Sequence, residues 1–235
     1  MKKLFSIFIF LFTITSVYAQ KPIQFGVKGG LNLSGYLAND ELNLYQDNTT
    51  AKAGLNAGFY SIIPITDRFA IQPEILYSQQ GVNFVEPEAY VDYTYVDGFF
   101  GPDFVISEVG TYGDVEAQEN LHYLNVPVLA NIYLAPGLSL QLGPQFGFLL
   151  NGTARFDANN ENLAGIITDY DDHIEITDDL SPVSLAASAG IQADLTSDLL
   201  LGLRYTFGLT DVADTSADDI SISNQVGQFY VGYTF

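Results

Sequence analysis

The sequence predicts an all-β protein, an eight-stranded antiparallel up-and-down transmembrane β-barrel with short periplasmic turns and long acidic extracellular loops. Three observations predict this fold. Eight runs of roughly ten residues alternate between apolar and polar side chains, as barrel strands do. The connections between the runs alternate between short and long, and no charged residue falls on an apolar face. Together these observations predict strands with one face in lipid and the other in the barrel interior.

Residues 1–19 have the features of a secretory signal peptide. Lys2 and Lys3 precede an apolar run at 4–17, and Val17 and Ala19 occupy the positions that a signal peptidase reads before Gln20. The apolar run is shorter than the roughly 20 residues that a membrane-spanning helix needs. We therefore expect a leader at 1–19, cleaved near Ala19, and a single barrel domain at 20–235.

Composition narrows the possible functions. Without Lys2 and Lys3 the chain keeps 6 basic and 28 acidic residues, which argues against nucleic-acid binding because that needs a basic surface. The chain has no cysteine, so disulfides and thiolate metal sites are excluded. No cofactor motif is present, and we expect no cofactor.

The alternating runs, in chain order, lie at 24–34, 53–65, 68–85, 121–134, 138–150, 183–195, 199–210 and 224–235. Representative apolar positions of the eight runs are, in the same order, Leu31, Leu55, Ile75, Val126, Leu142, Leu185, Leu203 and Phe229. The opposite faces carry mainly Gly, Ser, Asn and Gln. A soluble barrel would have the reverse arrangement, with apolar side chains inside and charges outside.

Two classes of connection separate the runs. Short turns fall at 66–67, 136–137 and 196–198, whereas long connections fall at 35–52, 86–119, 151–180 and 211–223. This alternation predicts that both chain termini and all the turns lie on the periplasmic side. The long connections hold 24 of the 28 acidic residues.

The last run ends in alternating large apolar residues, Phe229, Val231, Tyr233 and Phe235. An exposed aromatic edge strand would promote aggregation, but pairing with the first run removes the edge by closing the barrel. A terminal Phe after alternate apolar residues also resembles the signal read by the outer-membrane insertion machinery. We expect these four residues to face lipid and to serve as that signal.

Four charged residues fall on the inward faces: Lys28, Glu74, Asp194 and Arg204. The interior of an eight-stranded barrel is just wide enough for side chains to fill it. Because an unpaired buried charge costs several kcal/mol, we expect these four to form an ion-pair network that fills the lumen. The alternative is a polar conduction path.

The sequence offers two further kinds of candidate site, mainly in the loops. Asp169, Asp171, Asp172, Asp178 and Asp179 supply clustered oxygen ligands of the type that Ca²⁺ prefers, although their spacing matches no EF-hand loop. The alternative is a solvated acidic surface, and we assign no metal site. His122 and His173 are the two histidines, and Asp171, Asp172 and His173 with Ser181 could form a hydrolase site at the barrel rim. No diagnostic motif supports it, so we predict a protein that is not an enzyme.

Several segments resemble the PorT-like family of outer-membrane barrels. They are FGVKGGLNLS at 25–34, QPEILYSQQG at 72–81, YLNVPVL at 123–129, LGPQ at 142–145, RY at 204–205 and GLTD at 208–211. Asn125 and Asn131 stand where that family commonly has Glu and Lys. The resemblance implies that an interior ion pair has become an amide pair.

The resemblance also implies a location in the outer membrane of a Gram-negative bacterium. We expect a non-enzymatic barrel that serves as a structural, loop-display or interaction protein, in contact with outer-membrane lipid and lipopolysaccharide. One family member is linked to type IX secretion, so an accessory role in a secretion or envelope-assembly complex is the alternative.

Overall fold

The computed structural model describes residues 22–39, 49–90, 112–158, 174–212 and 221–235. These residues form ten strands and one short 3-10 helix at Thr177–Asp179. The strands are β1 (Gln24–Asn39), β2 (Thr49–Thr66), β3 (Phe69–Gln80), β4 (Val82–Tyr90), β5 (Tyr112–Ala135), β6 (Leu138–Ala158), β7 (Ile174–Glu175), β8 (Val183–Asp194), β9 (Leu199–Asp211) and β10 (Ser221–Thr234). Among the described residues, no helix is long and apolar enough to cross a membrane.

Antiparallel pairing links eight of the ten strands into a ring in the order β1, β2, β3, β5, β6, β8, β9 and β10. The ring closes where β10 pairs with β1, from Gly26 opposite Thr234 to Asn39 opposite Ser221. The short connections around Asp67, Gly137 and Ser197 share one end of the ring, here called the turn end. The opposite end is called the loop end. Each ring strand therefore has a partner on both sides.

The strand count differs from the prediction of eight in two places. The third predicted run is divided at Gly81, whose φ of +133° favours glycine, so that β3 ends and β4 continues alongside β5. The two-residue β7 pairs with β6 within a stretch that the sequence assigns to a loop. In addition, β5 begins at Tyr112 and β6 ends at Ala158, so both strands extend into ranges that were predicted to be loops.

Side chains alternate in environment along every ring strand. On β9 the exposed fraction is 63% for Leu203, 3% for Arg204, 48% for Tyr205 and 3% for Thr206. The inward face of the ring is thus buried and holds most of the polar side chains, and the outward face is apolar and exposed. This is the distribution expected of strands whose outer surface meets lipid.

Two apolar clusters lie inside the ring, one toward each end. Toward the turn end lie Tyr60, Ile62, Ala70, Leu200 and Tyr230. Toward the loop end lie Leu121, Tyr123, Ala154, Ile176 and Val212. Between them the interior is filled by polar side chains, which form the candidate site.

Candidate functional site: the barrel interior

Glu74 on β3 is the central acceptor of the interior. Its Oε2 accepts hydrogen bonds from Lys28 Nζ at 2.5 Å and from an Arg204 guanidinium nitrogen at 2.7 Å. Its Oε1 accepts from the other terminal nitrogen of Arg204 at 2.9 Å and from Gln72 Nε2 at 2.7 Å. Four donors therefore satisfy a carboxylate whose side chain has no exposed surface.

The Arg204–Glu74 contact crosses the barrel. β3 and β9 are separated by three strands on either side of the ring, so the bidentate pair joins opposite walls. A two-bond contact of this kind fixes both the distance and the orientation of its partners. Among the described interior residues the two cations Lys28 and Arg204 share one carboxylate.

Tyr230 on β10 gives the two cations a second partner. Lys28 Nζ lies 4.2 Å from the centre of its ring, and the guanidinium carbon of Arg204 lies 5.2 Å from it. Cations over an aromatic face are attracted by the ring quadrupole, more strongly where water is excluded. The Tyr230 hydroxyl donates to Gln141 Oε1 at 2.8 Å, which anchors the ring in place.

Side-chain amides extend the charged cluster to the remaining walls. Gln141 Oε1 accepts from Arg204 at 2.8 Å, and Gln141 Nε2 donates to Gln192 Oε1 at 2.9 Å. Gln72 Oε1 accepts from Asn131 Nδ2 at 2.6 Å. Seven of the eight ring strands contribute a side chain to the connected network: β1, β3, β5, β6, β8, β9 and β10.

A second group of polar side chains lies nearer the loop end and is centred on Asn32. Its Oδ1 accepts from Asn56 Nδ2 at 2.7 Å and from Gln228 Nε2 at 3.0 Å. Its Nδ2 donates to Ser78 Oγ and to the Gln79 carbonyl, both at 2.9 Å. Asn32 therefore joins β1, β2, β3 and β10 across the inside of the ring.

The segment 174–180 packs onto the inside of the loop end. Ile176 N donates to the Gly152 carbonyl at 2.9 Å, and Gly152 N donates to Thr177 Oγ1 at 2.9 Å. The close contact depends on the missing side chain of Gly152, because an added Cβ would lie only 3.1–3.3 Å from Leu180, Leu121 and Ile176. Ile176 is thereby buried in the loop-end cluster.

The four predicted interior charges are only partly brought together. Lys28, Glu74 and Arg204 meet in one cluster, but Asp194 does not join them. Asp194 is exposed at the last position of β8, four residues beyond Gly190, which pairs with Arg204. Its placement in the network was wrong because a strand end at the turn side lies in reach of water and beyond the side chains that fill the interior.

The expected amide pair between Asn125 and Asn131 is also absent. Asn131 bonds instead with Gln72 and Gln141, whose longer side chains reach across the interior. Asn125 Nδ2 is buried and has no hydrogen-bond partner among the described residues. The two asparagines lie six positions apart on one strand, too far for such short side chains to meet.

The loop candidates are placed only in part. Asp169, Asp171, Asp172 and His173 lie outside the described residues. Asp178 and Asp179 are exposed in the short 3-10 helix. No group of three or more His, Asp or Glu residues in the described part of the chain could hold a metal ion.

His122 lies on the outer wall rather than at an interior rim. Its Nδ1 is 2.5 Å from the Tyr77 hydroxyl, and the two rings stack with their centres 5.8 Å apart. Ser181 belongs to a different part of the fold, where its backbone N donates to the Val212 carbonyl. An aromatic pair facing outward at the loop side of the apolar surface is typical of a membrane-interface girdle.

Phe229, Val231, Tyr233 and Phe235 all face outward, as their spacing predicts, and Phe235 is the most exposed at 77%. Phe235 N donates to the Phe25 carbonyl at 2.8 Å, so the last residue still takes part in the closing pair with the first strand. Tyr233 and Phe235 contact each other edge to face.

Sequence reasoning missed several members of the network: Gln72, Gln141, Gln192 and Tyr230. Their inward direction could be read from the alternation, since they share faces with Glu74, Gln145, Ser188 and Gln228. Their mutual contacts could not, because these contacts depend on the stagger of the strands and on which side chains reach across the interior. The 174–180 segment had no signal beyond the apolar Ile174 and Ile176 within an acidic stretch.

The profile of one protein family, described as outer membrane protein beta-barrel domain, matches residues 18–214. The chain belongs to this family. The membership agrees with the closed ring and the apolar outer face, and it assigns the chain to the barrels of the Gram-negative outer membrane. The match does not extend to the finer PorT-like assignment, which remains a prediction. A comparison with curated protein sequences gave no match.

Solved structures that are similar to this chain include other outer-membrane barrels. The attachment invasion locus protein Ail of Yersinia pestis is 14% identical, with 92% of this chain and 100% of that chain covered and a TM-score of 0.43. Neisserial surface protein A is 10% identical, with the same coverage and a TM-score of 0.47. The outer-membrane protease OmpT of Escherichia coli is 10% identical, with 94% and 100% covered and a TM-score of 0.38.

Proposed function

We propose that this outer-membrane barrel is a closed, non-conducting and non-enzymatic anchor that holds its acidic loops at one membrane surface. The observation that carries the proposal is the Arg204–Glu74 pair, which bridges opposite walls with both side chains fully buried. A solute moving along the interior would have to break this pair and the amide bonds around it.

The apolar clusters at the two ends support the same function. Each blocks the interior with side chains that water does not hydrate well, and Ile176 adds a residue from outside the barrel wall. The polar network and the two apolar clusters together leave no continuous path for a solute, which does not suit a pore. The filled interior also gives rigid support to the connections at the loop end.

The acidic connections supply the second half of the proposal. They hold 24 of the 28 acidic residues of the chain, so the displayed surface is strongly negative. Such a surface attracts cations and basic partners and repels anionic ones over about 8–10 Å at moderate salt. We propose that the loops face the cell exterior and that the turns face the periplasm. An accessory role in a secretion complex remains the alternative implied by the PorT-like resemblance.

Planar-bilayer recording of the purified barrel tests the closed interior. We expect no stable conductance steps from the wild-type protein. A double Glu74→Gly, Arg204→Gly variant, which removes the bridge between the walls, serves as the matched control and should produce intermittent steps. Stable, large steps from the wild type would contradict the proposal, because they require a continuous water-filled path.

A crosslinking experiment separates the anchor from the accessory role. Outer membranes containing the tagged barrel are crosslinked, solubilised and purified through the tag. Recovery of the barrel with lipid alone supports the anchor. A protein recovered in fixed stoichiometry, together with lost secretion in a deletion strain, would favour the accessory role.

A further inference from the structure

A hollow of about 640 Å³ lies in the outer wall, where β10 joins β1 on one side and β9 on the other. Its lining is almost wholly apolar, and its floor is the backbone at Gly227. Large side chains border it, namely Leu31, Leu33, Leu203, Tyr205 and Phe229. The hollow opens outward, on the surface that this family of barrels presents to lipid.

The strand register explains why a hollow forms at this position. One transverse row of outward residues alternates small with large side chains: Ala53, Leu33, Gly227, Tyr205 and Ala189. The neighbouring row toward the turn end contains only large ones: Leu55, Leu31, Phe229, Leu203 and Ile191. The small residues therefore leave low points in this row, and the one at Gly227 is bounded within the row by Leu33 and Tyr205 and toward the turn end by the row of large side chains.

The backbone at position 227 does not require glycine. An added Cβ would find only the Leu33 carbonyl oxygen nearby, at 3.7 Å, which is an ordinary contact distance. A side chain would consequently fit without moving the wall and would project into the hollow. The absence of a side chain at this position is what keeps the hollow open.

Only one end of the hollow is polar. The Tyr205 hydroxyl donates to Gln225 Oε1, two residues from Gly227 toward the loop end. Ten residues separate Gln225 from Phe235, which at about 3.3 Å per residue and a tilt of 35–45° is roughly the 25 Å height of a barrel's apolar band. The polar pair thus lies at the loop-side edge of the band, with the hollow directly inside it. The charged side chain of Arg204, which also borders the hollow through its backbone, points into the barrel.

We propose that this hollow binds one acyl chain of a membrane lipid from the loop-side leaflet. The ester end lies near Tyr205 and Gln225, and the methylenes next to it lie over Gly227 and end against Phe229. An apolar hollow of this size does not hold ordered water, because water needs polar partners. A second barrel is a poorer occupant, since an interface of the usual size, about 1,200–2,000 Å², would cover the hollow with a broad wall that does not enter it. No charged group lines the polar end, so the chain and not the headgroup is recognised.

Native mass spectrometry of the detergent-purified barrel, with added lipid A, tests the proposal. The variant Gly227→Leu places a side chain on the floor of the hollow. Gly29→Leu is the matched control, because Gly29 also faces outward, also has only one carbonyl oxygen within reach at 3.7 Å, and does not line the hollow. We expect the wild type and Gly29→Leu to retain one lipid, and Gly227→Leu to lose binding by about tenfold, because its side chain occupies the space of the acyl chain and overpacking costs about 1–3 kcal/mol.

Phosphatidylethanolamine with matched saturated chains is the second probe. Equal retention of the two lipids supports recognition of the chain. Retention of lipid A alone would overturn that claim. Equal retention by Gly227→Leu and wild type, or a dimer that Gly227→Leu abolishes, would overturn the site itself. Ala53→Leu narrows the same hollow from β2 and provides an independent variant if Gly227→Leu assembles poorly.

Discussion

Leu203 and Arg204 are neighbours in the chain but occupy opposite environments. Leu203 exposes 63% of its surface on the outside of the barrel, and Arg204 exposes 3% in the interior. In a soluble protein these values would be reversed, because apolar side chains leave water and charges stay in it. The difference shows that the surrounding solvent, rather than hydrophobicity alone, decides which face is buried. It also means that the two faces contribute to stability by different interactions, which substitutions can separate.

The interior face should give the largest effect. Glu74→Ala leaves Lys28 and Arg204 buried without their shared carboxylate, which should lower the free energy of unfolding by about 3–5 kcal/mol. The midpoint of urea unfolding in lipid vesicles measures this loss. Glu175→Ala, which removes an exposed carboxylate, is the control and should change stability by no more than about 0.5 kcal/mol. Equal midpoints for the two variants would contradict the pairing.

The outward face should respond to charge rather than to loss of a partner. Leu203→Arg places a cation on the lipid-facing side and should cost about 2–4 kcal/mol if the position lies near the midplane. Leu203→Ala, measured in the same vesicles, separates the effect of charge from that of a smaller side chain. If the two substitutions cost the same, Leu203 does not face lipid.

The 174–180 segment should behave differently from either face. Ile176→Ala removes a buried side chain that packs from outside the barrel wall, so we expect a loss of about 2 kcal/mol confined to this segment. Hydrogen exchange at 174–180 should accelerate while the amides of β3 and β9 keep their protection. Acceleration throughout the barrel would mean that the segment unfolds together with the barrel wall.

Removal of Phe235 should have the smallest effect on stability and a separate effect on assembly. The side chain is 77% exposed and the truncation also removes the hydrogen bond from Phe235 N to the Phe25 carbonyl, so unfolding of the purified truncation should shift by no more than about 1.5 kcal/mol. The quantity of assembled barrel in outer membranes should fall, because we predict that this residue belongs to the insertion signal. Gly29→Leu, which leaves the last strand intact, is the control. Normal assembly of the truncation would show that the signal lies elsewhere.

Most of the fold could be predicted from the sequence, because the alternation of inward and outward side chains is a local pattern. Alternation alone predicts that Leu203 and Phe229 face outward and that Glu74 and Arg204 face inward. It does not reveal that β3 and β4 are separated at Gly81, because the strand pattern continues through the break. It also did not reveal which inward groups meet. Glu74 and Arg204 are 130 positions apart, and their contact depends on ring order and strand stagger together.

Asp194 illustrates the limit of the alternation. The alternation places it on the same inward face of β8 as Gln192, which is buried in the network. Asp194 lies two residues further along the strand and is exposed. The alternation predicts which face of the strand a residue occupies, but burial also depends on the position of that residue along the barrel axis. That position is set by where the neighbouring strands end, and a single run of residues does not contain it.

A cysteine scan along β9 tests most directly whether apolar side chains face lipid and whether side chains fill the interior. The chain has no cysteine of its own. Single cysteines at Leu201, Leu203 and Phe207 are compared with cysteines at the inward Leu200 and Thr206, in vesicles of ordinary and brominated lipid. The account predicts that a fluorophore at the first three is quenched by brominated lipid. It predicts that the last two react with neither a water-soluble maleimide nor lipid-borne reagents. Rapid reaction of the last two with the water-soluble reagent, or no quenching at the first three, would contradict it.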